Sequence, residues 1–140
     1  MSGRAFFDSN IFIYAYDPRD NRKQTTASDL IREHTIEGSA IISYQVIQEF
    51  FNFALVKAAT KIGLEDAQVI LQDVFRPLQI IPSSFALISD AIRIQDRYRL
   101  SWYDSLIVSA AQQAGCSVLY SEDLQHGQQF GSVTVRNPFL

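Results

Sequence analysis

The chain has 140 residues, of which 47% are hydrophobic and 19% are charged, and its net charge is −3. This balance is typical of a globular protein with a core, suits one domain spanning residues 1–140, and excludes a disordered chain. The acidic charge argues against a protein that holds nucleic acid by charge alone.

The first half of the chain alternates short apolar runs with amphipathic patterns. The apolar run Ala5-Phe6-Phe7 stops at Asp8, which indicates a buried strand, and Gly38 separates a helix from a second apolar run. The predicted elements are a strand at 5–7, a helix at 11–16, a helix at 23–34, a strand at 39–42 and a helix that begins after Ser43, which is a good N-cap residue.

The second half continues the same alternation. The predicted elements are a helix at 64–75, a strand at 78–81, helices at 84–98 and 102–114, and strands at 117–120 and 133–135. Strands that alternate with helices or helix pairs predict a three-layer α/β fold, with a parallel sheet of about five strands flanked by helices. The pattern does not indicate the order of the strands.

Compartment and redox state follow from two features of the sequence. Cys116 is the single cysteine, so it cannot form an internal disulfide, and no Cys/His spacing indicates zinc. The apolar run near the N-terminus is too short for a signal peptide, and no stretch is long enough to span a membrane. We therefore expect a cytoplasmic protein without a membrane segment.

Four acidic residues are predicted to lie at one edge of the sheet. Asp8 follows the first strand, Glu49 lies in the helix after the second, Asp104 begins the helix before the fourth, and Asp123 follows the fourth. Ligands bind at this edge of parallel sheets, and converging carboxylates repel one another unless cations lie among them. Mg²⁺ and Mn²⁺ prefer oxygen ligands, so the pattern suits metal-assisted hydrolysis of phosphodiesters.

Each acid also has a simpler interpretation. Asp8 is placed to cap the helix that follows it, and Asp104 stands three residues after Ser101, the spacing of a capping box. Asp123 resembles an ordinary turn residue. Glu49 lies at the border of an apolar helical stripe, where a solvated glutamate is less common. The functional interpretation therefore depends on all four acids falling at one edge.

Four short motifs in this order resemble the PIN-domain ribonucleases, and within them the VapC-type toxins of toxin–antitoxin pairs. The strand, Asp, Ser, Asn start of the family is similar to residues 5–11, and its Ser and helical Glu are similar to residues 42–49. Its helix-initial Asp is similar to residues 103–107, and its Ser or Thr two before an Asp is similar to residues 119–124. The resemblance covers nearly the whole chain.

The resemblance implies a site and partners. Asp8, Glu49, Asp104 and Asp123 would be catalytic and would bind Mg²⁺ or Mn²⁺. Supporting roles would fall to the hydroxyls and the amide that orient carboxylates or brace the loop, namely Ser9, Asn10 and Ser121. The family also implies an RNA substrate, a small antitoxin protein and frequent homodimers. An acidic site would attract an Arg or Lys of such an antitoxin.

One departure leaves the fourth acid ambiguous, because Glu122 and Asp123 are adjacent. In an extended segment they point to opposite sides, so both are not expected to face one metal pair. The family pattern selects Asp123, two residues after Ser121, and Glu122 is then expected to face solvent or a basic neighbour.

Two further surfaces carry predictions. A mixed basic and aromatic run before Asp104 includes Arg97 and Arg99, which would guide RNA, although such a run is more often a solvated helix end. Aromatic residues in excess of core needs favour a two-fold dimer contact; they are Tyr14, Tyr16, Phe51, Trp102 and Phe139.

Two other function classes compete with this interpretation. One is a phosphoryl-transfer protein that uses Asp8 as its nucleophile. Asn10 stands where haloacid-dehalogenase-type phosphatases want a second Asp, and the Lys that receiver domains want after the last strand is not present in the sequence. The other is a catalytically silent binding module with the same fold. Metal-dependent RNA cleavage that is lost on Asp8→Asn would discriminate among the three.

Overall fold

The computed structural model describes residues 3–140; the predicted domain also includes Met1 and Ser2, which lie outside the described residues. The α-helices are α1 Ser9–Ala15, α2 Asn21–Glu37, α3 Tyr44–Asn52, α4 Leu64–Ile70, α5 Phe85–Tyr98 and α6 Trp102–Gln113. Within residues 3–140 no helix has the length and apolar character needed to cross a membrane.

The strands form one sheet between layers of helices. They are β1 Ala5–Phe7, β2 Ala40–Ser43, β3 Gln79–Ile81, β4 Val118–Tyr120, β5 Gln129–Phe130 and β6 Val133–Arg136. Their order is β3-β2-β1-β4-β6-β5, and all neighbours pair in parallel except β5 with β6. The predicted three-layer α/β fold is confirmed, and β1 lies in the middle of the sheet.

The prediction of about five parallel strands was incomplete, because the sheet has a sixth, antiparallel strand. β5 consists only of Gln129 and Phe130, too short to show an alternating pattern. Gly131 follows it with a φ of +64°, a conformation that glycine adopts without strain, and the chain turns back so that Phe130 pairs with Val133. This strand therefore depends on pairing with β6.

Helix boundaries differ from the prediction where capping residues act. α1 begins at Ser9 instead of residue 11, because the Asp8 side chain accepts a hydrogen bond from the Ser9 backbone N–H. α2 extends in both directions: the Asp20 side chain caps its start, and Gly38 ends it in a left-handed conformation. Two predicted helices also end in π-helical turns, Phe53–Lys57 after α3 and Leu71–Phe75 after α4.

Buried phenylalanines hold α1 against the structure around it. The ring centroids of Phe12 and Phe75 are 4.9 Å apart, and those of Phe50 and Phe75 are 5.3 Å apart. All three side chains are almost fully buried. Each such burial contributes roughly 1.5–3 kcal/mol, so the start of α1 is firmly anchored below the sheet edge.

Three of the aromatic residues predicted to exceed core needs pack within the chain. Phe139 is buried, and its ring centroid lies 4.9 Å from that of Tyr14. The ring centroids of Phe51 and Phe50 are 5.1 Å apart. Tyr16 and Trp102 remain exposed, at 41% and 38%. The predicted surplus was therefore wrong for three of the five residues, since the folded chain itself supplies their partners.

Candidate active site

Parallel pairing of β1 and β4 brings together two residues that are far apart in sequence. Phe7 lies opposite Tyr120 in the ladder, and the Asp8 backbone N–H donates to the Tyr120 carbonyl at 3.0 Å. Asp8 and Ser121 are the next residues on the two strands, so both emerge at the same edge. There the Ser121 hydroxyl donates to Asp8 Oδ2 at 2.8 Å.

Asp8 is a buried carboxyl surrounded by neutral donors. Its residue is 3% exposed, and Oδ1 accepts from the Ser9 backbone N–H at 2.8 Å. Burial raises the pKa of Asp8 to about 7; the bonds from Ser121 and Ser9 act against this rise, whereas the nearby charges of Glu49 and Asp123 add to it. Asp8 therefore caps α1, as its simpler interpretation predicts, and also belongs to an acidic group.

Asn10 connects this carboxyl to the loop after β4. Its amide nitrogen lies 3.4 Å from Asp8 Oδ2 and 3.1 Å from Asp123 Oδ2, and its amide oxygen accepts from the Glu122 backbone N–H at 3.3 Å. The Ser121 hydroxyl oxygen also accepts from the Asp123 backbone N–H, at 3.2 Å. These bonds hold Asp123 at the rim above the buried Asp8.

Glu49 and Asp104 approach the same edge from the second turn of α3 and the first turn of α6. Gln45, one turn before Glu49, donates to Glu49 Oε2 at 3.4 Å and to the Tyr103 carbonyl at 3.0 Å, which links the two helices. Burial raises the pKa of Asp104, and the charge of Asp123 raises it further, although Ser101 acts in the opposite direction. The Ser101 hydroxyl accepts from the Asp104 backbone N–H at 3.1 Å, as the capping interpretation predicts.

Glu122 is held by partners on the other side of the loop. Lys23 Nζ lies 2.5 Å from Glu122 Oε2, and the Tyr14 hydroxyl donates to Glu122 Oε1 at 2.6 Å. Although partial burial acts to raise it, the bonds from Lys23 and Tyr14 lower the pKa of Glu122. Lys23 is the basic neighbour that the sequence analysis expected for Glu122. Nothing in the sequence indicated that Lys23 or Tyr14 would be the residues in contact with it.

Together Asp8, Glu49, Asp104 and Asp123 are called the carboxylate edge. The electrostatic couplings run from Asp8 to Glu49 and Asp123, and from Asp104 to Asp123. In residues 3–140 none of the four forms an ion pair with a basic side chain, and no three acidic, His or Cys side chains are arranged closely enough to form a ready metal cage. Uncompensated carboxylate oxygens nevertheless fit a hard divalent cation.

Arg97 and Arg99, the predicted substrate contacts, lie at the end of α5. The Arg97 guanidinium is 5.3 Å from the Tyr98 ring centre, and Arg99 lies 4.0 Å from Asp96 with both side chains exposed. Arg99 has a φ of +58°, which ends the helix. The described contacts of both arginines therefore run along α5 and leave their charged groups facing solvent.

Ser43 occupies the N-cap position of α3, as predicted, but its side chain makes no capping bond. The residue is 5% exposed, and among the described residues its hydroxyl has no hydrogen-bond partner. Buried polar atoms are normally paired, so this hydroxyl calls for an explanation other than helix capping.

The comparison with protein families gives one match. The profile described as PIN domain matches residues 5–128, a range that contains all four acids of the carboxylate edge. No curated protein matches the chain in sequence.

Solved structures resemble the chain in fold. A toxin–antitoxin complex from Klebsiella pneumoniae matches with a TM-score of 0.69 and 19% identity, over 96% of this chain and 97% of that one. VapBC2 from Rickettsia felis, bound to a DNA fragment from its promoter, gives 0.69 and 17%, over 95% and 97%. VapC20 of Mycobacterium tuberculosis, a sarcin-ricin loop cleaving toxin, gives 0.66 and 16%, over 84% and 88%.

Proposed function

Because this chain belongs to the PIN domain family, we propose that it is a metal-dependent endoribonuclease and the toxin of a toxin–antitoxin pair. The observation that carries the proposal is the carboxylate edge, in which the buried Asp8 is coupled to like charges with no basic side chain paired to them. An acidic group of this kind is stabilised by cations, and oxygen-bound divalent cations are the usual catalysts of phosphodiester hydrolysis.

The four acids divide into two pairs of ligands for Mg²⁺ or Mn²⁺. Asp8 and Glu49 would hold one cation, and Asp104 and Asp123 would hold a second, weaker one at the more exposed rim. When bound, the metal lowers the pKa of a coordinated water and neutralises the charge that develops on the phosphate. His126 follows Asp123 by three residues, but its Nδ1 accepts from the Asn137 backbone N–H, and among the described residues no histidine hydrogen-bonds to one of the four acids. A metal-activated water is therefore a better nucleophile here than a His-activated side chain.

Neutral groups of the chain orient these ligands. The Ser121 hydroxyl and the Ser9 backbone N–H each bond one oxygen of Asp8, which fixes the carboxylate plane and leaves its remaining lone pairs for a cation. The Asn10 amide lies between Asp8 and Asp123 and keeps the two pairs of ligands at a constant separation. Gln45 restrains Glu49 in the same way.

RNA is the proposed substrate. VapC20, which shares the fold, is described as a sarcin-ricin loop cleaving toxin. Arg97 and Arg99 at the end of α5 present exposed positive charge, and the chain reaches Asp104 a few residues later, so phosphate contacts at these arginines would guide a strand to the carboxylate edge.

Cleavage assays with and without metal test the proposal. The purified protein is incubated with structured and single-stranded RNA in Mg²⁺, Mn²⁺ or EDTA, and Asp8→Asn is compared with Asp29→Asn, which changes a half-exposed aspartate of α2 that pairs with Arg32. We expect cleavage that requires metal, disappears in Asp8→Asn and persists in Asp29→Asn. Cleavage that continues unchanged in EDTA would overturn the metal mechanism.

A small antitoxin is the proposed partner, in a cytoplasm where the buried Cys116 remains reduced. Two of the structures that share the fold are described as a toxin–antitoxin complex and as VapBC2 bound to promoter DNA. An antitoxin Arg or Lys would bind among the unpaired acids of the carboxylate edge. A short DNA-binding protein encoded just upstream and growth arrest on expression are expected; absence of both would favour a housekeeping ribonuclease.

A homodimer is the proposed assembly, with Tyr16 and Trp102, the two of the five predicted aromatics that remain exposed, as its candidate contacts. An isologous two-fold contact is the usual solution for such a chain. Light scattering at tens of micromolar should give the mass of two chains, and a purely monomeric mass would contradict this assembly.

The two competing function classes agree less well with the geometry of the site. Asn10, whose amide lies 3.4 Å from Asp8 Oδ2, stands where haloacid-dehalogenase-type phosphatases want a second Asp, which disfavours attack by Asp8 on a phosphoryl group. A catalytically silent binding module would bind RNA equally well with and without metal and would cleave none of the substrates in the assay above.

A further inference from the structure

A cavity of about 260 Å³ adjoins the carboxylate edge, between the start of α3 and the start of α6. Gln45 forms part of its wall and also donates to Glu49 Oε2 and to the Tyr103 carbonyl. Tyr103 lines the cavity as well and directly precedes Asp104. Gln45 and Tyr103 therefore connect the cavity to the carboxylate edge, although none of the four acids is among the residues that line the cavity.

Ser43 lies in the wall of this cavity with an unpaired hydroxyl. The residue is 5% exposed, and its Oγ has no hydrogen-bond partner among residues 3–140. Continuing the register of β1 with β2, in which Phe6 pairs with Ile41, places Ser43 level with Asp8. A buried hydroxyl without a partner is unfavourable, and a polar group of a bound ligand would relieve it.

Four other lining residues indicate which kind of ligand the cavity can bind. Tyr44 and Tyr103 stand at the cavity with 52% and 64% of their surface exposed, and so offer flat rings for stacking. Gln45 and Gln48 each present an amide that both donates and accepts. No charged side chain is among the residues that line the cavity. The walls thus suit a flat, neutral group with polar edges rather than a phosphate or an ionised side chain.

We propose that this cavity binds one unpaired nucleobase of single-stranded RNA, beside the phosphodiester held at the carboxylate edge. The proposal rests on the proposed ribonuclease function and adds where the base next to the cleaved bond lies. The cavity volume is slightly below the roughly 300–1,000 Å³ of sites for drug-sized ligands, which suits a group of one or two rings. Glutamine amides pair with base edges, and stacking on an aromatic ring tolerates any base.

Nuclear magnetic resonance titrations in EDTA test this binding without cleavage. The probes are AMP, GMP, CMP and UMP, with ribose 5-phosphate as the matched ligand that lacks a base. The side-chain amide signals of Gln45 and Gln48 should shift with at least one nucleotide and not with ribose 5-phosphate. Equal shifts with ribose 5-phosphate, or no response to any nucleotide, would overturn the proposal and leave a protein side chain as the candidate occupant.

Variants separate recognition from a structural role. Tyr103→Ala should weaken nucleotide binding about fivefold or more through lost stacking, whereas Gln113→Ala, an exposed glutamine at the end of α6, should not. Ser43→Ala should weaken binding about threefold with an unchanged or higher melting temperature, because it removes an unpaired hydroxyl. Loss of stability with unchanged affinity in Ser43→Ala would contradict a role in binding.

The two proposals fail in different measurements. If the protein cleaves RNA but these variants bind nucleotides as the wild type does, the base site is wrong and the ribonuclease function stands. If nucleotides bind with the expected variant pattern but no RNA is cleaved in metal, the base site stands and the ribonuclease function is wrong.

Discussion

Replacing Asp8 with asparagine removes the charge of a buried carboxyl, and in the metal-free protein we expect this change to favour the folded state at neutral pH. Asp8 is 3% exposed, and burial raises its pKa from the ordinary 3.8 to about 7. The charged form is therefore better accommodated in the unfolded chain, where water surrounds it. The same carboxylate is needed for the proposed cleavage, so stability and activity should change in opposite directions.

The size of this effect on the free energy of unfolding follows from the pKa values of Asp8 in the folded and unfolded chain. Because the folded pKa lies above the unfolded one, the folded protein binds more protons between these values, and its free energy of unfolding falls as pH rises. The fall is at most roughly 1.4 kcal/mol per pH unit and becomes smaller as the pH approaches the folded pKa, so it amounts to about 2 kcal/mol between pH 5 and pH 7. The asparagine variant lacks this titration, so its advantage over the wild type should grow by that amount.

Urea unfolding in EDTA at pH 5, 6, 7 and 8 measures the difference directly. A constant contribution, such as the conflict between the new amide and the Asn10 amide, shifts all points equally and leaves the pH dependence intact. Asp29→Asn, which changes a half-exposed carboxylate paired with Arg32, is the control and should show only a small difference in stability. A difference for Asp8→Asn that is the same at pH 5 and pH 7 would refute the reasoning.

Adding Mg²⁺ should reverse the effect of Asp8→Asn on stability relative to the wild type. A cation that binds the folded state alone stabilises it by mass action, so the wild type should gain stability and Asp8→Asn should gain much less. Equal stabilisation of both proteins would show that Asp8 is not a ligand.

Three further outcomes are expected. Asp123→Asn should raise the metal concentration needed for cleavage about tenfold or more. Glu122→Gln should leave that concentration unchanged, because Glu122 is paired with Lys23 away from the carboxylate edge. If metal titrations of activity give the reverse result, Glu122 and not Asp123 is the fourth ligand. The Cys116 thiol, whose pKa is raised to about 11 by burial, should react with a disulfide reagent only after unfolding, and fast labelling of the native protein would contradict this. Gly38→Ala should lower the free energy of unfolding by about 1–2 kcal/mol because of its φ of +71°, with Gly38→Asn less harmful, as chemical denaturation would detect.

Most of the fold could be predicted from local patterns. The apolar run that ends at Asp8 and the stretch that ends at Tyr120 both form strands within a residue of the predicted bounds. Period-two and period-3.6 patterns depend on neighbouring residues only, so they are visible without a tertiary structure. The two-residue strand at Gln129 carries no such pattern and forms only because β6 pairs with it.

The positions of the candidate acids relative to the helices and strands could be predicted from the sequence, but the contacts of their side chains could not. Asp8, Asp104 and Asp123 each stand next to an element end that sequence reasoning located. The bond between Ser121 and Asp8, and the pair of Lys23 with Glu122, join residues about a hundred positions apart. Nothing in local sequence specifies such partners, because they depend on which strands become neighbours.

By itself, the sequence determined the α/β class, the alternation of strands and helices, and acids at the ends of elements, because these follow from short-range propensity and periodicity. The tertiary structure alone decided that β1 lies between β2 and β4, and so that Asp8 emerges beside Ser121 and level with Ser43. Strand neighbours are chosen by burial of the whole sheet beneath its helices, a long-range balance to which every element contributes. The unpaired Ser43 hydroxyl and its cavity exist only as a result of that choice.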